Sequence, residues 1–113
     1  MENKNKVFGK ITSVEFGYGG YQDAMFGLNI ELSGNGWECG DFYGDWGIHI
    51  QPDKYSKWTE KDRTEKFAKM CTYINKLLIE AKITYISELK NIPIEATFRD
   101  NTLVSWRILT EVL

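Results

Sequence analysis

From Met25 to Leu32 apolar and polar positions alternate, with Phe26, Leu28, Ile30 and Leu32 set against Gly27, Asn29 and Glu31. A period of two puts each set on one side of an extended chain, so this segment is expected to be a strand with one buried face. Val7 to Phe16, rich in β-branched and aromatic residues, is expected to be the strand before it. Gly17-Tyr18-Gly19-Gly20-Tyr21 then reads as a turn or loop. Ser33-Gly34-Asn35-Gly36 is a hairpin signal. Trp37 to Ile50 follows as a long strand, which Gly40, Gly44 and Gly47 are expected to break with bulges or bends.

The period changes in the second half of the chain. Phe67, Met70, Cys71, Ile74, Leu77, Leu78 and Ala81 recur at three- and four-residue spacing, which predicts one long helix over Thr59 to Lys82. Thr59 with Asp62 resembles a capping box, Asp standing where Glu or Gln is usual. A short helical turn is expected over Ser87 to Lys90, ended by Ile92-Pro93. Ile94, Ala96 and Phe98 alternate again as a strand, and Asp100-Asn101 is a tight-turn pair. Val104, Trp106 and Ile108, with Val112 beyond them, are expected to be the apolar face of the last strand.

The expected fold class is therefore α+β: a five-stranded antiparallel sheet or an OB-like barrel, with one long helix between strands 3 and 4. Element order alone does not separate the open sheet from the barrel. Open edges would favour a homodimer, whereas a closed barrel would remove them. There are 113 residues, enough for one domain spanning 1–113, and no internal repeat. The 42% hydrophobic and 27% charged content excludes global disorder, a collagen-like chain and a disulfide miniprotein. The opening MENKNK has no apolar core, so no signal peptide is expected, and no apolar run is long enough for a membrane span. Cys39 and Cys71 are too few for a disulfide framework and are expected to be free thiols in a reducing host cytoplasm, Cys71 buried on the helix stripe.

Charge changes the picture more than composition does. Residues 7–53 hold one base, Lys10, against Glu15, Asp23, Glu31, Glu38, Asp41, Asp45 and Asp53, a net charge of −6. Residues 54–113 hold 11 bases and 8 acids. The acidic stretch is also where the aromatics gather. Tyr18 and Tyr21 flank glycines, and Trp37, Phe42, Tyr43 and Trp46 lie among Glu38, Asp41 and Asp45. Aromatics suit the centre of a protein interface and carboxylates steer a basic partner. The same aromatics could stack bases, with Lys10, Lys54 and Lys57 near the phosphates, although the carboxylates repel phosphate.

Catalytic chemistry finds little support. Gly17–Tyr21 lacks the Gly-Lys-Ser/Thr of a phosphate loop and the spacing of a dinucleotide fingerprint. Asp41, Asp45 and His49 would point the same way on a strand, but four residues of strand cover about 13 Å, too far for two of these carboxylates to share one ion without a sharp bend. His49 is the only histidine, and no serine elbow or paired nucleophile and base is present. No enzyme, metal or cofactor is expected. The helix surface mixes both signs of charge, so no membrane role is expected.

Several strings, taken together, resemble small accessory proteins of phages and prophages. They are Gly9-Lys10-Ile11, the Gly17-to-Tyr21 turn, Gly36-Trp37, Leu89-Lys90-Asn91-Ile92-Pro93 and Ser105-Trp106-Arg107-Ile108-Leu109. The resemblance spans most of the chain and carries no catalytic residues. It implies a phage or prophage origin and a small viral protein, a group that includes inhibitors of host defence, anti-CRISPR proteins, sponges for signalling nucleotides and single-stranded DNA binders. The leading expectation is a non-enzymatic binding protein whose acidic aromatic sheet docks on a basic host protein through Tyr18, Tyr21, Trp37, Asp41, Tyr43, Asp45 and Trp46. The alternative is an OB-like protein that binds a single-stranded nucleic acid or a nucleotide.

Overall fold

The computed structural model describes residues 4–113. The alternating segments form five strands: β1 Lys4–Gly19, β2 Met25–Gly34, β3 Trp37–Trp46, β4 Pro93–Arg99 and β5 Thr102–Ile108. One long helix, α1 Glu60–Ala81, lies between β3 and β4. All pairings are antiparallel, in the order β3-β2-β1-β4-β5. The sheet curls into a half-barrel.

β1 is long enough to serve both wings of this sheet. Its first half pairs with β4, from Lys4↔Arg99 to Lys10↔Pro93. Its second half pairs with β2, from Gly9↔Gly34 to Gly19↔Met25, with a register shift between Ile11 and Ser13. A bulge at that point bends and twists the strand. The two wings therefore turn one concave face toward each other. That face carries Ile11, Leu28, Ile30, Leu32, Ile94, Ala96 and Ile108, joined by Leu77 and Ala81 of α1 and by Leu89. Burying each larger aliphatic side chain contributes about 1.5–3 kcal/mol.

The edge strands β3 and β5 share no ladder among the described residues. A side chain bridges them instead: Trp106 Nε1–H donates to Asp41 Oδ2 at 2.7 Å. The sheet is thus open, and its mouth is pinned at one point.

The ends of α1 follow the local chemistry. Thr59 Oγ1 accepts from the Asp62 amide and Asp62 Oδ2 accepts from the Thr59 amide, the expected reciprocal cap. Lys82 adopts φ 57° and the chain leaves by a Schellman arrangement, Ile83 N–H donating to Leu78 O and Lys82 N–H to Ile79 O.

Four expectations are corrected. Gly17, Tyr18 and Gly19 are strand, not loop, paired with Gly27, Phe26 and Met25. β3 stops at Trp46 and runs against β2 without a shift, so its glycines make no bulges. Gly44 instead faces Gly27 across the ladder, where a Cβ on Gly27 would meet Tyr43 O and lie 2.6 Å from Gly44 Cα. The glycines there serve close approach of two backbones. The β4–β5 register shifts between Thr97 and Phe98, so Ser105 opposes Thr97, Leu103 opposes Phe98, and Val104 between them is left unpaired and exposed. Val112 lies beyond the strand in a short 3-10 turn, also exposed. Finally, Cys71 is exposed. The centre of the helix stripe runs through Arg63, Met70, Leu77 and Ala81. The flank packed on β3 is that of Tyr73, stacked on Tyr43, so the Cys71 flank is left to solvent. Both cysteines are free thiols.

Candidate functional site

Directly paired residues of antiparallel strands share a face. The rows Phe16↔Leu28↔Tyr43, Val14↔Ile30↔Asp41 and Ile11↔Leu32↔Cys39 therefore all lie on the concave side. The rows Tyr18↔Phe26↔Asp45 and Gly9↔Gly34↔Trp37 fall on the same side, so five of the expected docking residues, Tyr18, Trp37, Asp41, Tyr43 and Asp45, hold inward positions. Asp41 accepts the indole N–H of Trp106. Tyr43 stacks on Tyr73 of α1, ring centroids 4.7 Å apart and 13° from parallel. Burial pushes the Tyr73 hydroxyl well above the usual tyrosine range, helped by Asp41, Tyr43 and Glu80. Burial, then Asp41, likewise raises the Cys39 thiol.

Trp37 sits elsewhere, at the hairpin-tip end of the half-barrel. Its ring lies over Gly9 and Gly34 and meets Phe98 edge-on at 5.3 Å. Trp37, Phe98 and Val7 floor an open cleft of about 900 Å³, rimmed by Lys4, Glu38 and Asp100.

The remaining four residues, Tyr18, Tyr21, Asp45 and Trp46, lie at the opposite end, where β1 turns into β2, Tyr18 and Asp45 in a concave row and Trp46 in the convex row beside it. Gly20 makes that turn at φ 66°, and Gln22 and Asp23 follow at φ 53° and 54°. Two successive non-glycine residues in the left-handed region store backbone strain, of order 1 kcal/mol or more each. Tyr21 is 66% exposed, its ring 6.5 Å edge-on from Trp46. Tyr18 leans on Phe26 at 5.6 Å and on the His49 ring at 5.5 Å. Asp45 Oδ1 accepts the Trp46 amide at 2.7 Å.

The segment after β3 completes this end. Gly47 N–H donates to Ala24 O, tying the two loops together. Arg63, buried near the start of α1, donates from Nη1 to Gly47 O at 2.9 Å and to Ile50 O at 2.6 Å. Its guanidinium also lies 5.2 Å from the Trp58 ring. The loop carrying Ile48 and His49 is thereby fastened to the helix. Exposed Phe16, Tyr18, Tyr21 and Ile48 share this end with the carboxylates of Glu15, Asp23 and Asp45.

Reading the chain residue by residue missed Phe16, Asp23 and Ile48. Phe16 pairs with buried Leu28 on the concave side, yet it is 45% exposed. Asp23 was legible from its place two residues after Tyr21.

Asp41, Asp45 and His49 form no metal site: no group of three His, Cys, Asp or Glu side chains is placed to hold an ion among the described residues. No helix among them is long and apolar enough to cross a membrane. No protein-family model, curated protein or solved structure matches the chain.

Proposed function

We propose that this chain is a non-enzymatic binding protein that docks on a basic protein surface through the β1–β2 loop end of its sheet. The observation that carries this reading is the patch itself. Tyr21 and Asp23 stand exposed on the strained turn, and exposed Phe16, Tyr18 and Ile48 with the carboxylate of Asp45 lie at the same end of the sheet. Exposed apolar side chains concentrated at one end of a sheet mark interaction sites. Their acidic rim favours a cationic partner and repels phosphate. Strain in the turn is the kind of cost that persists at functional sites.

The element order, and a β1 shared between β2 and β4, support reading the sheet as an OB-like barrel left open between β3 and β5. The resemblance to phage accessory proteins supplies the setting: a host protein of the defence machinery whose basic surface otherwise meets nucleic acid. Docking there would inhibit it by occupying that surface.

The test is capture. Immobilised wild-type protein is expected to retain a basic protein from a bacterial lysate at low salt. Tyr21→Ala combined with Asp23→Lys, both exposed positions, is expected to lose it. Equal retention by wild type and variant would reject the loop end as the docking surface.

A further inference from the structure

The other half of β1 has the opposite chemistry. Lys4, Lys6, Phe8 and Lys10 alternate with Asn5, Val7 and Gly9, so all four share the convex face. The register fixes this: Val7 pairs with fully buried Ala96, placing Phe8 opposite, beside Glu95. All three lysines are exposed, and none makes an ion pair among the described residues. The neighbouring carboxylate of Glu95 is already engaged by Arg107 Nε at 3.1 Å, and Arg107 is held in turn by Glu111. Phe8 is 69% exposed, a large apolar ring standing between two cations.

A solvated strand face needs no phenylalanine, and leaving one there forgoes about 2 kcal/mol of burial. Alternate strand residues lie about 6.7 Å apart. That repeat is close to the phosphate spacing of an extended single strand. A basic track with a protruding ring can hold a single strand, cations following the backbone and the ring stacking on a base.

We infer that the convex face of Lys4, Lys6, Phe8 and Lys10 is a binding strip for single-stranded nucleic acid. The strip is separate from the loop-end patch: Lys4 to Lys10 pair with β4, whereas Phe16 to Gly19 pair with β2. It reads backbone charge and a base face, and so is expected to have little sequence preference.

The test is fluorescence anisotropy with a labelled oligothymidylate of about twelve nucleotides, within the span of one small binding fold. Three lysine contacts predict a slope of log K against log salt of about −2, from roughly 0.7 per phosphate. Phe8→Ala is expected to weaken binding about ten-fold at every salt concentration, leaving the slope unchanged. Lys6→Gln with Lys10→Gln is expected to flatten the slope to about −0.7. All these positions are exposed, and unchanged circular dichroism confirms that the variants fold. Absence of binding at low salt overturns the strip, as does binding that both variants leave intact. Equal affinity for anionic phosphatidylserine vesicles or for polyglutamate would also overturn it, showing a surface selective for charge alone.

Discussion

β1 is one continuous strand with two characters. Its first half is basic, carries a lone exposed Phe8 and belongs to the β4–β5 wing. Its second half carries Phe16 and Tyr18 with Glu15 as its one charge, leads into a strained glycine turn and belongs to the β2–β3 wing. Charge counted along the chain blurs this division. The −6 of residues 7–53 suggests a single acidic sheet, but antiparallel pairing disperses those carboxylates. Asp41 is used inside the mouth of the half-barrel, Glu38 lies at the hairpin-tip cleft, Asp23 and Asp45 lie at the loop end, and Glu15 stands on the convex face opposite Asn29. Lys4, Lys6 and Lys10 meanwhile join a wing from the far end of the sequence. The charge polarity of the sheet is thus a property of strand pairing.

The wings differ in how they are built, and substitutions can break each separately. The largest effect is expected at the Gly27–Gly44 approach. Gly27→Ala should cost about 3 kcal/mol by urea denaturation, because its Cβ meets backbone that cannot yield without parting β2 from β3. Gly17→Ala, in the same row of the sheet but with nothing within 4 Å of an added Cβ, should be neutral or stabilise by about 0.5 kcal/mol. Similar losses at both would show that backbone approach is not what the row requires.

A smaller effect is expected where the wings meet. Trp106→Phe removes the donor to Asp41 and should cost about 2 kcal/mol, as befits a partly buried hydrogen bond to a carboxylate. Asp41→Asn keeps an acceptor oxygen and should cost less. If neither changes the denaturation midpoint, the bridge does not hold the mouth.

The smallest effect depends on pH. The folded protein holds the Tyr73 proton more tightly than the unfolded chain does, since burial raises its pKa. That contribution is complete below about pH 10, the ordinary tyrosine value, and is lost as pH climbs beyond it. Tyr73→Phe should therefore match wild type at neutral pH and lose less stability in the alkaline range. Parallel decline of the two proteins would contradict the buried position of that hydroxyl.

Much of the architecture was legible because local chemistry and tertiary packing agree. The period-two set Phe26–Leu32, the Thr59–Asp62 cap and the Asp100-Asn101 turn, both residues at positive φ, all stand where their chemistry puts them. What sequence concealed came from pairing between distant segments. The register shift that expels Val104 depends on a single bulge, while the face of α1 that meets β3 and the use of Asp41 by Trp106 depend on partners far along the chain, Asp41 and Trp106 being 65 residues apart. The site divided in the same way. Tyr18 and Asp45 share a row through Phe26 and Tyr21 meets Trp46 in the next, whereas Trp37 lies at the other end of the half-barrel.

The central claim is that the two halves of β1 serve two different partners. The most direct measurement puts both variant sets through both assays: protein capture from lysate and oligothymidylate anisotropy. Tyr21→Ala with Asp23→Lys should abolish capture and leave oligonucleotide affinity intact, while Phe8→Ala with Lys6→Gln should do the reverse. If either set removes both activities in a folded protein, or if neither set affects either, the division of labour along β1 is wrong.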